Sequence, residues 1–344
     1  MTTIRRLTAL AVVLASLLAV PATTSFAGAS SATVVAYNNL GLLNPGAIAA
    51  YGKYVWVADR GLGGKGAKVV RVTASSGAHL SVVSPLLDEP VTLTSDGTYV
   101  WVVNAASQGA THGSIARIDI ATNKVSFVAQ VSGLSALVSL AVAGPYLWAA
   151  GVSNNAILRI DRTSLAVRTI SSTLFYPGEA LTADSKYIWV SSDGGGPLDR
   201  GSLARISMAT NKVTAVNSPY FNDAVTVTSN GTYVWVPASN HVVVKVDIAT
   251  SKAIKISSTS FSTSLWIEST PRYAYVLNDF GNPSGPGGTL SQINALTNSV
   301  RVITSKSFLS PMGLAILGSH VWILNSSLSA AVPATKNLLV RVSP

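Results

Sequence analysis

Short apolar stretches follow one another along the whole chain. Some are apolar at every position and others alternate, as in PVTLTS at 90–95 and AVTVTS at 224–229. Gly, Ser, Thr and β-branched residues dominate them, which predicts strands and leaves no place for a helix of any length. One stretch recurs: YVWV at 54–57 and 99–102, YLWA at 146–149, YIWV at 187–190, YVWV at 233–236, YAYV at 273–276 and HVWI at 320–323. Its third residues, Trp56, Trp101, Trp148, Trp189, Trp235, Tyr275 and Trp322, stand 40 to 47 residues apart. Trp266 breaks this period and is expected on a different strand.

A second signature follows each first one: VVRVT at 69–73, IARID at 115–119, ILRID at 157–161, LARIS at 203–207, VVKVD at 243–247, LSQIN at 290–294 and LVRVS at 339–343. A turn and a further strand often come next, as in ATNKVSFV at 121–128. Asp96-Gly97 and Asn230-Gly231 join the alternating strand to the Trp strand, supplying the positive φ of a two-residue hairpin. Each repeat therefore holds four antiparallel strands in about 45 residues, the period of a propeller blade. One blade cannot bury both its faces, so neighbours must cover them, and strands apolar on both sides follow. The predicted fold is an all-β, seven-bladed β-propeller.

The chain stops just after the third strand of repeat seven, and an orphan strand, Thr33-Val34-Val35-Ala36-Tyr37, precedes the first repeat. The expectation is that this N-terminal strand completes the last blade. Otherwise two sheet edges would remain open to pairing with other chains.

Composition changes the picture in three ways. First, there is no cysteine, which excludes disulfides, thiolate metal sites, cysteine nucleophiles and lipid attachment through an N-terminal Cys. Second, the net charge is +10, but no run of basic residues exists. That balance implies at most a weak preference for acidic polymers and no specific nucleic-acid binding. Third, Arg5 and Arg6, an apolar run from Leu7 to Val20, Pro21, and Ser25-Phe26-Ala27 read as a secretory signal cleaved after Ala27, with Ala32 as the second choice of cleavage site. The run is shorter than the roughly 20 residues of a membrane span. The organisation is thus a signal peptide at 1–27 and a single propeller domain at 28–344, with the mature protein secreted or held in the cell envelope, without a transmembrane span, as a monomer.

The recurring residues read mostly as structure. The Trp markers suit an inter-blade core. Arg71, Arg117, Arg159, Arg205, Lys245 and Arg341 could form an anion-binding ring, but pairing within or between blades is the simpler reading. Asp119, Asp161 and Asp247 suit the following turn, and Asp59, Asn104, Ser192, Asn278 and Asn325 the end of the Trp strand. Long Gly- or Ser-rich loops at 60–67, 105–113, 193–201, 279–289 and 326–337 follow that strand and would carry binding.

The connections between blades open on the same face and reach the channel mouth. They carry Asp88-Glu89, Phe175-Tyr176, Glu179, Tyr220-Phe221-Asn222-Asp223, Phe261 and Phe308. Counting back ten residues from the first aromatic of the Trp strand gives Asn44, Glu89 and Asp223 as equivalent entries to inner strands. Carboxylates and aromatics around a funnel suit a cation, a sugar or an amine. The candidate ligand site is therefore Glu89, Glu179, Asp223, Tyr176 and Tyr220.

The paired signatures VWV(x)N and RIDxATNKV resemble those of bacterial YVTN-type propellers, and are similar also to streptogramin-lyase-like (virginiamycin B lyase-like) propellers. The resemblance spans about residues 33–344 and implies the propeller fold. For the lyases it also implies a histidine/glutamate centre with magnesium in the channel. This chain has four histidines, His79, His112, His241 and His320; none falls on an expected inner strand, and no His-x-Glu or Glu-x-His pair exists. The lyase residues have no counterparts, no catalytic residue or cofactor is assigned, and whether the chain is an enzyme stays open. The leading reading is an exported, non-catalytic binding propeller acting on an unknown extracellular ligand or envelope component through its loop-rich face and channel mouth. A structural or adhesive envelope protein, and a metal-dependent lyase or hydrolase, are the alternatives.

Overall fold

A pair of doubly apolar strands has to be covered on each face, and the chain answers this with seven equivalent sheets. The computed structural model describes residues 32–63, 65–105, 113–131, 137–151, 155–175, 178–193, 201–261, 263–279, 288–326 and 338–344. The expected leader at 1–27 lies outside them. Ala32–Pro344 forms one unit of seven four-stranded antiparallel sheets. In six sheets the strands follow in sequence order, as in blade one: Pro45–Tyr51, Tyr54–Asp59, Lys68–Thr73 and His79–Val82. The first strand of each blade lies innermost and lines a central channel. Among the described residues no helix is long and apolar enough to cross a membrane.

The seventh sheet is built from both ends of the chain. Thr33–Tyr37 pairs antiparallel with the final strand Leu338–Ser343, with Thr33 opposite Ser343, Val35 opposite Arg341 and Tyr37 opposite Leu339. The latch also packs. In blade seven His320 stands where five blades have the tyrosine that meets the Trp edge-on. Tyr37 from the N-terminal strand stacks on Trp322 instead, with centroids 5.5 Å apart.

The period-setting Trp is the joint between blades. Trp56, Trp101, Trp148, Trp189, Trp235 and Trp322 are fully buried, and each lies in a cluster with the next blade. Trp101, for example, packs on Leu140, Leu147, Leu158 and Ile160 of blade three, and Trp322 packs on Val55, Val57, Val70 and Val72 of blade one, closing the ring. Tyr275 takes this place between blades six and seven.

The recurring cations act at the same joints. Arg71 lies over the Tyr54 ring at 4.5 Å and donates to Asn123 Oδ1 of the next blade at 2.8 Å. Arg159 does the same with Tyr146 and Asn211, and Arg205 with Tyr187 and Ser251. Lys245 lies over Tyr233 and donates to Asn298 and to the Ala295 carbonyl. Arg341 donates to the Ala74 carbonyl across the closure. Arg117 departs, donating within its own blade to Ser126. The accepting residues sit in the turn after the third strand, where Asn123, Asn211, Ser251 and Asn298 have φ near +60°. Asp119 and Asp247 set two of those turns and Ser207 and Asn294 the other two, while Asp161 sets the matching turn of blade three; the carboxylates of the three aspartates accept backbone N–H groups. These hydrogen bonds hold all three below the usual carboxylate range. A ring of free arginines, one of the two readings of the repeat, is thereby replaced by bonds between blades and, for Arg117, within one.

Blade five departs from the expected pattern. AVTVTS at 224–229 reads as a full inner strand, yet only Thr228–Ser229 pairs with Tyr233–Ala238. Pairing ends with Thr228 opposite Trp235, two residues before Pro237, which has no N–H to donate. The chain instead turns tightly at Asp223, whose carbonyl accepts from the Val225 N–H.

If the N-terminal strand closes the ring, a chain lacking residues 28–40 should unfold at lower temperature or aggregate, because blade seven gains an open edge and Trp322 loses its stacked partner. Thermal melts with light scattering check this. An unchanged melting curve would contradict the latch.

Candidate functional site

In four blades the end of the second strand is tied to the incoming connection by a buried polar side chain. Asp59 accepts from the N–H groups of Leu43 and Asn44 at 2.9 and 2.7 Å. Asn104 donates to the Leu86 carbonyl, Ser192 to Leu174 and Asn325 to Ser307. These recurring residues therefore shape the channel mouth rather than contact a ligand. The connection aromatics behave likewise. Phe175, Phe221, Phe261 and Phe308, which suggested a rim, are fully buried between blades. A large apolar side chain above an inter-blade gap is worth more buried than displayed.

The expected site residues lie at this mouth or outside the described residues. Glu89 has φ 52°, and its carboxylate lies 3.5 Å from Arg60 Nη2 across blades one and two. Its carbonyl accepts from the Ala105 N–H, as Asn44 does from Arg60 and Ser310 from Ser326. In blade five it is Asn222, not Asp223, that accepts the matching bond from Ser239, so the ten-residue count runs one place out there. Asp223 has φ 51°. Tyr220 is exposed. Glu179 falls on the inner strand Gly178–Ala183, and Tyr176 lies outside the described residues. So do most of the long loops, at 106–112, 194–200, 280–287 and 327–337.

Below the mouth, all seven inner strands surround a chamber of about 430 Å³. Its walls are mostly small or aliphatic: Ala47, Ile48, Leu93, Leu140, Leu181 and Leu314. Polar side chains interrupt this wall at Thr92, Ser139, Thr226 and Glu268. Thr226 lines the chamber, and its buried Oγ1 has no hydrogen-bond partner. Glu268 and Trp266 come from the blade-six inner strand Thr263–Ser269. Trp266 is the tryptophan outside the period, and the expectation of a different strand is met there. A second space of about 450 Å³ opens toward the hairpin face, and Glu268 borders both, so its carboxyl sits at the waist of the channel.

Glu268 is the acidic residue that the sequence reading passed over. Thr228 Oγ1 donates to its Oε2 at 3.4 Å and also lies 3.2 Å from the Ser269 hydroxyl. By surface area the residue is half-buried, with the blades around it. That burial pushes its pKa up from 4.5 to about 7, against the weaker pull of the Thr228 hydroxyl and the Ser269 N–H. The register places Glu268 opposite Tyr275, and Tyr275 opposite Gln292. In the other blades that row reads Ala or Thr, then Trp, then Arg or Lys: Ala49, Trp56, Arg71, or Thr94, Trp101, Arg117. Blade six changes all three positions, and Gln292 donates to the Tyr275 hydroxyl at 3.0 Å. This triple departure, read across aligned repeats, was the signal available in the sequence.

The magnesium centre implied by the lyase resemblance does not fit these residues. His79 begins an outer strand, His241 contacts the Phe261 carbonyl, and His320 contacts Ser343, all away from the chamber; His112 lies outside the described residues. Among the described residues no three His, Cys, Asp or Glu side chains cluster to hold a metal.

No protein-family model matches the chain, and no curated protein matches it. Among solved structures it is similar to selenomethionine-substituted virginiamycin B lyase from Staphylococcus aureus, with a TM-score of 0.68 at 14% identity, over 91% of this chain and 100% of that one. It is also similar to a chain of a nidogen/laminin complex, with a TM-score of 0.52 at 11% identity, over 72% of this chain and 94% of that one. At such identities the likeness is one of fold.

A carboxyl whose pKa is raised on folding favours the folded state below its unfolded value and loses that contribution as pH rises through the folded value. For Glu268 the window runs from 4.5 to about 7. The shift corresponds to about 3 kcal/mol. Glu268→Gln should therefore match the parent near pH 4.5 and exceed it in stability at pH 8. Urea melts across that range check this; parallel pH profiles for the two proteins would contradict it.

Proposed function

We propose that this chain is an exported, non-catalytic binding propeller that takes a small ligand through its channel mouth into the chamber beneath. The observation that carries the reading is the shape and division of that chamber. A cleft of about 430 Å³ falls in the range used for small molecules, and such sites combine apolar walls with a few placed polar groups. Here aliphatic side chains make up most of the wall, the hydroxyls of Thr92, Ser139 and Thr226 interrupt it, and the one carboxyl among the described lining residues sits on blade six. The blades around it are fixed by buried indoles, so the chamber is formed in advance and little ordering cost attends binding. The leader-like segment at 1–27 supports export. The recurring Arg and Lys side chains are engaged between blades, or within blade two for Arg117, which leaves the basic excess scattered and favours a small ligand over an acidic polymer.

Thr92 lines the chamber and belongs to none of the buried inter-blade clusters. Thr92→Phe should fill the channel while leaving the blades intact. In a thermal-shift screen of small amphipathic compounds, the parent protein should give hits that this variant loses while melting normally on its own. Hits retained by the variant would move binding to the outer loops and overturn the channel reading.

A further inference from the structure

The Glu268 carboxyl faces a chamber that offers it hydroxyl groups and hydrocarbon. Thr228 and Ser269 supply the hydroxyls, and Ile48, Leu93, Leu140 and Ile316 border the same space. Among the described residues lining either half of the channel, no other side chain titrates and none carries a positive charge. The strand paired behind Glu268 brings Tyr275, whose phenol is pushed further above its ordinary value by burial and stays neutral. An ionised carboxylate in such surroundings is costly unless a cation joins it.

Three features narrow the cation. Trp266 lies two residues before Glu268 on one strand, so both side chains leave the same side of it, and both line the chamber. An indole face beside a carboxylate attracts an organic ammonium. Thr226 Oγ1, buried without a partner in the same wall, can accept an ammonium N–H. The remaining wall is aliphatic and suits an alkyl body. A divalent metal fits poorly, because calcium takes six to eight oxygens and magnesium an octahedron, and the chamber presents one carboxylate.

We propose that the chamber binds a small primary ammonium ion with an aliphatic body, its charge held between the Glu268 carboxylate and the Trp266 ring and its body against the leucine-lined wall. This rests on the channel being the binding site. Binding requires Glu268 to be ionised, so an ammonium entering a protonated site displaces one proton to solvent. With a carboxyl pKa of about 7, the competent fraction rises about tenfold between pH 6 and pH 8. An alkylammonium itself stays charged over that range, like a lysine.

The experiment is isothermal titration of the full protein with n-hexylammonium, with 1-hexanol and magnesium chloride as comparison probes, at pH 6 and pH 8 in two buffers of different ionisation enthalpy. The expected result is hexylammonium binding that tightens about tenfold from pH 6 to pH 8, with buffer-dependent heat at pH 6 from the released proton. Glu268→Gln should lose at least tenfold in affinity at pH 8 and all pH dependence, while circular dichroism shows an intact fold. Hexanol binding as tightly as hexylammonium, with no pH dependence, would overturn the ammonium assignment and leave the channel reading standing. Failure of hexylammonium to bind at pH 8, or magnesium binding lost in Glu268→Gln, would overturn it as well. Hexylammonium affinity unchanged in Thr92→Phe would overturn the channel reading beneath it.

Discussion

Everything in this molecule depends on one contact repeated around a circle, a buried indole from one blade set into the face of the next. With no cysteine, and no helix longer than the single turn at Thr173–Phe175 among the described residues, the ring is held by that packing and by the hydrogen bonds of short antiparallel strands. Each indole closes a gap that would otherwise stand open to water, and emptying such a site costs about 3–5 kcal/mol. The stacked Tyr and Arg reinforce the same joints, so the period of the sequence and the geometry of the ring share one cause. The join between the chain ends follows the same rule, with Tyr37 supplying the aromatic partner that blade seven lacks.

The channel is the by-product of that arrangement. Inner strands have a neighbour on one edge only, and their other edges face a common axis that the seven blades leave open. Six blades present Ala or Thr where the inner strand opposes the marker aromatic, which keeps the waist of the channel small and neutral. Blade six replaces the whole row with Glu268, Tyr275 and Gln292. The smaller Tyr275 gives up inter-blade volume, and the cation of the other blades is absent from the row. A repeat that abandons its own packing rule in three aligned positions, beside a shortened inner strand in blade five, marks the part of the ring where stability was traded against something else.

The fold was legible because its determinants are local and periodic. The Trp strands, the Arg strands and the Asp turns recur at one spacing, and the orphan N-terminal strand was the missing piece of an incomplete last repeat. The site was less legible for reasons that particular residues explain. Phe175, Phe221, Phe261 and Phe308 occur beside polar residues in connections, which suggests a rim, but they are buried above inter-blade gaps. The count that aligned Asp223 with Glu89 runs out at blade five, where the inner strand pairs only at Thr228 and Ser229 and the chain turns early. Glu268 was hidden because its meaning lies in its register, opposite Tyr275 in a row where the other blades carry Ala or Thr. Without that register, Glu268 reads as one more acid near a hairpin rather than as the carboxyl at the waist of the channel.

The claim that joins fold to function is that the closed ring sets this half-buried carboxyl among neutral side chains at the waist of the channel. The most direct measurement is its own titration. Side-chain carboxyl carbon resonances of glutamate, followed by NMR from pH 3 to pH 9 and assigned by difference against Glu268→Gln, report it without a ligand. The account predicts one glutamate titrating near pH 7, well above the ordinary value of 4.5. A Glu268 resonance that titrates near 4.5 would mean a solvated carboxyl, and would contradict the account.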